Sequence, residues 1–165
     1  HASQVARALG SDVPACLLGL AARGEGAGDN LQLLDDATIA GTPVLLVNPG
    51  VQLPTAAVFA AWDGIDRGTL GDWRSGRNDL ETAAKSLAPQ IENILVWLTE
   101  QGGANFVRMS GSGATCFALF DSGEQRDAAC EPFFTRSEPG DHRIAVHESV
   151  RDQKRRDEHR ALCVQ

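Results

Sequence analysis

The stretch from Phe106 to Phe120 constrains the fold most, because two β-like apolar runs flank a turn made of serine and glycine. The turn contains Gly111, Ser112 and Gly113. Glycines at this spacing allow positive φ angles and bring backbone N–H groups close to a neighbour. The pattern predicts either a plain β-hairpin turn, which the spacing alone favours, or a loop that receives phosphate oxygens. It is not a G-x-G-x-x-G dinucleotide-binding fingerprint, because Cys116 occupies the position of the third glycine.

The chain around this hairpin alternates between strand and helix signals. A continuous apolar run at 44–47 predicts a buried central strand that ends at the turn signal Asn-Pro-Gly. Helical patterns follow over 55–62, 79–87 and 91–98, and Ser122 caps a short helix after the hairpin. With a closing strand at 143–147, this order predicts an α+β fold of the ferredoxin-like, split β-α-β type.

The first 42 residues read differently. Residues 2–9 predict a helix that leads into the turn Gly10-Ser11-Asp12, and 31–42 predict a connection between domains. Because Pro14 disfavours a helical conformation at Val13, we expect Asp12 at a corner between a helix and a strand. Two roles remain open for Asp12. It is a turn residue that bonds local backbone N–H groups, which sequence alone favours, or a catalytic carboxylate exposed at a cleft.

Composition narrows the class of partner. The chain has 15 basic and 22 acidic residues among 165, a net charge of −7, which argues against nucleic acid or an anionic membrane as the main partner. No apolar run approaches the roughly 20 residues that span a bilayer, and the first 20 residues lack a signal-peptide pattern. Four scattered cysteines without a C-x-x-C pair predict no metal site and a reducing, cytoplasmic location.

Five short motifs resemble, in order and spacing, the C-terminal part of the 4-diphosphocytidyl-2-C-methyl-D-erythritol kinases, a family of the GHMP superfamily of small-molecule kinases. Each motif is weak by itself, but the order of five is specific. The resemblance covers roughly residues 3 to 130. The motifs are Gly-Ser-Asp-Val-Pro from Gly10, Arg-Gly-Glu-Gly-Ala-Gly from Arg23, Val-Asn-Pro-Gly-Val from Val47, Asn-Asp-Leu-Glu from Asn78 and Arg-Met-Ser-Gly-Ser-Gly-Ala from Arg108.

The resemblance implies a domain organisation. Residues 1–38 would be the tail end of an N-terminal kinase domain and 39–148 the GHMP kinase C-terminal domain. Residues 149–165 are rich in charge and predict a disordered tail. The sequence contains neither the Pro-x-Gly-x-Gly-Leu-Gly-Gly-Gly-Ser-Ser-type ATP loop of the family nor an N-terminal stretch with the lysine that partners its catalytic aspartate. We therefore expect a C-terminal piece that is inactive alone.

The resemblance also implies a reaction. In the complete enzyme, ATP with Mg²⁺ would phosphorylate the 2-hydroxyl of 4-diphosphocytidyl-2-C-methyl-D-erythritol, a small-molecule substrate of the non-mevalonate isoprenoid route. Asp12 matches the catalytic carboxylate of the family, and Gly111, Ser112 and Gly113 match the motif that shapes the phosphate loop. Thr55 opens a helix where anionic groups bind, although a simple helix cap is the favoured interpretation.

Two alternatives stay open. The first alternative to the diphosphocytidyl kinase is a non-catalytic ferredoxin-like module that binds a small molecule or a partner. The second is a GHMP kinase for another alcohol, such as mevalonate or homoserine. The motifs at 47–51 and 78–81 favour the diphosphocytidyl enzyme over these relatives. The sequence does not indicate the oligomeric state.

Overall fold

The computed structural model describes residues 2–10, 13–26, 30–34, 39, 41–134 and 143–148. The chain divides into two units, His1–Ala40 and Gly41–Gln165. Both Asp12 and the charged segment 149–165 lie outside the described residues.

The first unit contains two short helices and a β-hairpin. Helix α1 spans Ala2–Leu9 and α2 spans Val13–Leu18. Strand β1, Ala22–Glu25, pairs antiparallel with β2, Asn30–Leu33. The predicted helix at 2–9 is therefore confirmed.

Two expectations for this unit are wrong. Residues 13–18 are helical rather than extended: they form α2, and Pro14 is its second residue. In the first turn of a helix the missing N–H of proline would have no intrahelical acceptor, so proline is tolerated there. The preference of Val13 for an extended conformation is overridden. Part of the presumed connection at 31–42 is strand β2, because it pairs with β1.

The second unit carries the hairpin and a four-stranded sheet. Its elements are β3 (Pro43–Asn48), α3 (Thr55–Ala61), α4 (Glu81–Leu87), α5 (Gln90–Thr99), β4 (Ala104–Met109), β5 (Cys116–Phe120), α6 (Gly123–Phe134) and β6 (Arg143–Glu148). The strands lie in the order β4-β5-β3-β6, and all neighbours are antiparallel. This is the ferredoxin-like arrangement, so the predicted α+β fold and its closing strand are both confirmed.

One face of the sheet builds the core. Leu45 and Val47 of β3 and Cys116, Ala118 and Phe120 of β5 are buried, as the alternation of side chains along a strand requires. They form a cluster with residues of the helices, namely Val58, Ala84, Ile91, Ile94 and Leu98. Residues Val44 and Leu46 point to the other face and are only partly buried, so β3 is less enclosed than its apolar run predicts.

An aromatic and cationic group lies on partly buried positions outside this core. The ring of Phe106 contacts Trp73 edge-on at 5.3 Å between ring centroids and Phe117 at 5.9 Å. The guanidinium carbon of Arg108 lies 4.7 Å from the centroid of Phe106, and its Nε donates to the carbonyl oxygen of Gly76. These contacts tie the loop around Trp73 to strand β4.

The observed helix starts agree only in part with the caps that the sequence predicts. Ser122 caps α6, since its Oγ accepts from the N–H of Gln125 at 3.2 Å. The spacing of Asn78 and Glu81 predicts a capping box. It does not form, because α4 begins at Glu81 itself and the Glu81 carboxylate accepts from Lys85. In the described part of the chain, no helix has the length and apolar character that a bilayer crossing requires.

Candidate functional site

The hairpin turn between β4 and β5 is closed by two backbone hydrogen bonds. The N–H of Ser110 donates to the carbonyl oxygen of Thr115, and the N–H of Gly113 donates to that of Ser110, both at 2.9 Å. Gly111 and Gly113 have φ angles of 54° and 88°, in the left-handed region that glycine adopts without strain. Both glycines are thus required by the path of the backbone.

Three polar side chains from three other places in the unit contact this turn. Thr55, at the start of α3, lies 3.0 Å from Ser112, oxygen to oxygen. The Nδ2 of Asn48, at the end of β3, donates to the Oγ1 of Thr115 at 2.8 Å. Asn78, before α4, donates through its Nδ2 to the carbonyl oxygens of Met109 at 3.0 Å and Gly111 at 2.8 Å. The turn is therefore held from three directions.

The two turn glycines face different surroundings. A Cβ built on Gly111 would meet nothing within 4 Å. A Cβ on Gly113 would lie 3.0 Å from Met109 Sδ, 3.1 Å from Leu53 Cδ2 and 3.3 Å from Ile91 Cδ1. Gly113 therefore packs on the core, whereas Gly111 borders open space.

The open side of the turn presents donors. Within the described residues, the N–H groups of Gly111 and Ser112 have no hydrogen-bond acceptor. Two adjacent backbone donors beside an exposed glycine suit contact with an anionic oxygen. The hydroxyls of Ser112 and Thr55 lie on partly buried and exposed residues next to them. The arrangement can hold an anion through neutral donors, without a lysine or arginine.

Thr55 contributes its hydroxyl rather than a helix end. Its helix, α3, has seven residues, and the preceding Pro54 makes no side-chain cap. Thr55 is therefore not the expected helix cap: it is the first residue of α3, and its hydroxyl contacts Ser112. The contact between Thr55 and Ser112 was not predicted from the sequence.

Cys116, immediately after the turn, is no nucleophile. Burial raises the pKa of its thiol to about 12, with a smaller contribution from the charge of Glu81. A reactive cysteine needs a thiolate near neutral pH and access to solvent. The side chain is fully buried, so Cys116 is a core residue.

Asn48 and Asn78 were not predicted from the sequence as residues of the site. Asn48 was part of a turn signal, and its Oδ1 does accept from the N–H of Gly50. Its second contact crosses 67 positions in sequence, and that of Asn78 crosses 31 and 33. The only signal was that each asparagine lies at the end of an element, where side chains often bond to backbone.

The structure does not describe every residue of the predicted motifs. Asp12 is outside the described residues, as are 27–29 of the glycine-rich stretch. Gly24 is in strand β1 of the first unit. The residues that the structure describes contain no group of three or more His, Cys, Asp or Glu side chains that could hold a metal ion.

Comparison with known proteins identifies this domain. The family model "GHMP kinases C terminal" matches residues 61–136. A 4-diphosphocytidyl-2-C-methyl-D-erythritol kinase from Novosphingobium aromaticivorans is 54% identical over 127 residues, 73% of this chain and 44% of the relative. The enzyme of the same name from Rhizorhabdus wittichii is 52% identical over 131 residues, 76% of this chain and 45% of the relative. The chain thus spans less than half the length of these relatives.

Solved structures agree with the sequence matches. A crystal structure of 4-(cytidine 5'-diphospho)-2C-methyl-D-erythritol kinase superposes with a TM-score of 0.72 at 26% identity, covering 92% of this chain and 58% of that one. Homoserine kinase from Cytophaga hutchinsonii gives a TM-score of 0.58 at 20% identity, covering 84% and 50%, a likeness of fold alone. By topology, family model and relatives, the chain belongs to the GHMP kinase superfamily and contains its C-terminal domain.

Proposed function

We propose that this chain supplies the C-terminal part of an ATP-dependent kinase that phosphorylates the 2-hydroxyl of 4-diphosphocytidyl-2-C-methyl-D-erythritol. The observation that carries the proposal is the 54% identity over 127 residues to a kinase of that name. The product would serve the non-mevalonate isoprenoid route. The geometry of the turn supports the proposal, because a phosphoryl-transfer site needs fixed donors around phosphate oxygens.

Asp12 is the proposed catalytic carboxylate. In this reaction the substrate hydroxyl gives its proton to Asp12 and its oxygen bonds to the γ-phosphorus. The bond between that phosphorus and the bridging oxygen breaks, and ADP leaves. A positioned carboxylate that accepts the proton typically contributes about 10²- to 10⁴-fold in rate.

The turn has a supporting role in the proposal. The N–H groups of Gly111 and Ser112 would contact phosphate oxygens or the loop that holds them. Gly113 lets the turn pack on the core, since a side chain there would meet Leu53 and Met109. Thr55 would hold the Ser112 hydroxyl through their 3.0 Å contact.

ATP and Mg²⁺ belong to the proposal for the complete enzyme. The free N–H groups of the turn fit contact with a phosphate, but the sequence contains no glycine-rich ATP loop. The described residues do not fit a metal site, because they include no cluster of three or more candidate ligands. We therefore assign no step on this chain to the metal.

The setting of the enzyme is also proposed. A chain with net charge −7 and scattered cysteines suits a cytoplasmic enzyme with a small-molecule substrate, without nucleic acid or membrane as partner. The homoserine kinase match is a likeness of fold and does not favour homoserine as the substrate.

The test is a fused protein in which this chain follows the N-terminal part of the Novosphingobium aromaticivorans relative. We expect ATP-dependent phosphorylation of 4-diphosphocytidyl-2-C-methyl-D-erythritol, and little with homoserine or mevalonate. In this protein Asp12→Asn should lower kcat by about 10²- to 10⁴-fold with ATP binding and melting temperature almost unchanged.

Two outcomes would contradict the proposal. A well-folded fused protein without activity on the diphosphocytidyl substrate would favour a non-catalytic binding module. An Asp12→Asn variant with intact kcat but a stability loss of about 1 kcal/mol would make Asp12 a turn residue that bonds local N–H groups.

A further inference from the structure

Asn78 uses both ends of its side-chain amide, and the Nδ2 end contacts the hairpin turn. Its Nδ2 donates to the carbonyl oxygens of both Met109 and Gly111, and its Oδ1 accepts from the N–H of Leu80 at 3.0 Å. The orientation of the amide is unambiguous, because a flipped group would set its oxygen against two carbonyl oxygens. One end of the side chain thus faces the turn and the other faces the start of α4.

The two carbonyl contacts fix the direction of two peptide planes. In a trans peptide unit the C=O and the following N–H point in opposite directions. Holding the Met109 carbonyl toward Asn78 turns the Ser110 N–H away, and that N–H donates to Thr115. Holding the Gly111 carbonyl in the same way turns the Ser112 N–H away from Asn78, and it finds no acceptor among the residues described.

These contacts divide the role of Asn78 into two separable parts. A residue that merely starts a helix needs only an acceptor, which is the Oδ1 contact to Leu80. The donor contacts reach across more than 30 positions to backbone oxygens of the turn. A carboxylate at this position would keep the acceptor and remove both donors, so an Asn→Asp change isolates the second part.

We infer that Asn78 is a positioning residue that aims the free N–H of Ser112 at the anionic group bound by the turn. The identity of that group as a phosphate of the kinase reaction rests on the proposed function. Asn78 itself touches the backbone of the turn and acts through Ser112.

The experiment compares Asn78→Asp with a matched control, Ser122→Asp. Ser122 also starts a helix by accepting a backbone N–H, but among the described residues its side-chain hydrogen bonds stay within that helix start. Both variants of the full chain are made with ¹⁵N label, and their amide spectra and melting temperatures are recorded. We expect Asn78→Asp to shift or broaden the amide signals of Gly111, Ser112 and Gly113, with the Leu80 signal nearly unchanged. The melting temperature should fall, because two carbonyl oxygens lose their donor and face a carboxylate. Ser122→Asp should leave the turn signals in place.

The same variants in the active fused protein separate positioning from folding. We expect Asn78→Asp to lower kcat about tenfold, with KM for the alcohol substrate within about twofold, whereas Ser122→Asp leaves both unchanged. Should Asn78→Asp fail to fold, Asn78→Ser replaces it, since serine keeps an acceptor and is too short to bridge both carbonyls.

The outcomes are distinguishable from those of the proposed function. Turn signals that remain in place in Asn78→Asp, or in its Asn78→Ser substitute, would overturn the positioning role whether or not the fused protein is a kinase. Shifted turn signals with unchanged kcat in an active fused protein would also overturn it. Shifted signals in a protein whose unsubstituted form has no kinase activity would support the control of the turn by Asn78, and the proposed function would fail alone.

Discussion

Gly111 and Gly113 both adopt positive φ, but only Gly113 is packed against other side chains. For Gly111→Ala we expect a loss of about 1 to 2 kcal/mol in the free energy of unfolding, the cost of a Cβ in the left-handed region. Gly113→Ala should cost more, because its Cβ would meet Met109 Sδ at 3.0 Å and Leu53 Cδ2 at 3.1 Å. Urea denaturation of both variants provides the measurement, and equal losses would contradict the packing difference.

This difference changes how the turn should be probed. Gly113→Val would disturb the core before it disturbs any ligand, so a loss of activity in that variant would not report on a phosphate contact alone. Gly111 borders open space and is the better probe. In an active fused protein, we expect Gly111→Ala to lower kcat by a larger factor than the decrease in folded protein explains.

Cys116 predicts an alkaline loss of stability. Burial raises the pKa of this thiol from an ordinary value near 9 to about 12, so above pH 9 the unfolded chain ionises while the folded chain does not. The unfolded state then binds fewer protons, and the free energy of unfolding falls from about pH 9 until pH reaches about 12. The fall attributable to Cys116 should be at most about 2 kcal/mol by pH 10.5.

Denaturation at pH 8 and pH 10.5 measures this loss. Cys116→Ala should be less stable than the unsubstituted chain at pH 8, because it leaves a cavity, but should lose less between the two pH values. Cys16→Ala is the matched control, since Cys16 is an exposed cysteine whereas Cys116 is buried. An equal loss in Cys116→Ala and the unsubstituted chain would contradict the assignment.

At the scale of elements, the sequence predicted the second unit better than the first. The strands at 43–48 and 116–120 and the helices at 55–61 and 90–99 follow from local apolar patterns that agree with their tertiary partners. In the first unit, Pro14 predicted an extended conformation at Val13, but both residues lie in the first turn of α2. Strand β2 was missed because Asn30–Leu33 is recognisable mainly by its pairing with β1.

Local sequence patterns did not predict the polar contacts between elements. The Ser-Gly-Ser-Gly turn predicted a hairpin, which is confirmed, but not which side chains would reach it. Asn78 was expected to cap a helix with Glu81, and the asparagine instead bridges the turn while Glu81 pairs with Lys85. Such contacts depend on how α4 is placed against the β4–β5 hairpin, which no spacing in the sequence specifies.

For the whole molecule, the proposed function predicts weak nucleotide affinity for this chain by itself. The chain has a net charge of −7, which repels a nucleoside triphosphate, and contains no glycine-rich ATP loop. Several cations of the described part are engaged. Arg67 pairs with Asp63, and Arg77 pairs with Asp79. Hydrogen bonding to Glu92, and less strongly to Glu81, raises the pKa of Lys85 and keeps it paired.

We therefore expect isothermal titration of ATP into this chain to reveal no binding tighter than about 1 mM, an affinity of roughly −4 kcal/mol. The fused protein, which adds the N-terminal part of the Novosphingobium aromaticivorans relative, is the positive control and should bind ATP at least tenfold more tightly. The turn donors at Gly111 and Ser112 are common to both proteins, so the difference would measure what the added part contributes. Micromolar binding by the chain alone would contradict this expectation, and the nucleotide site would then have to lie within these 165 residues.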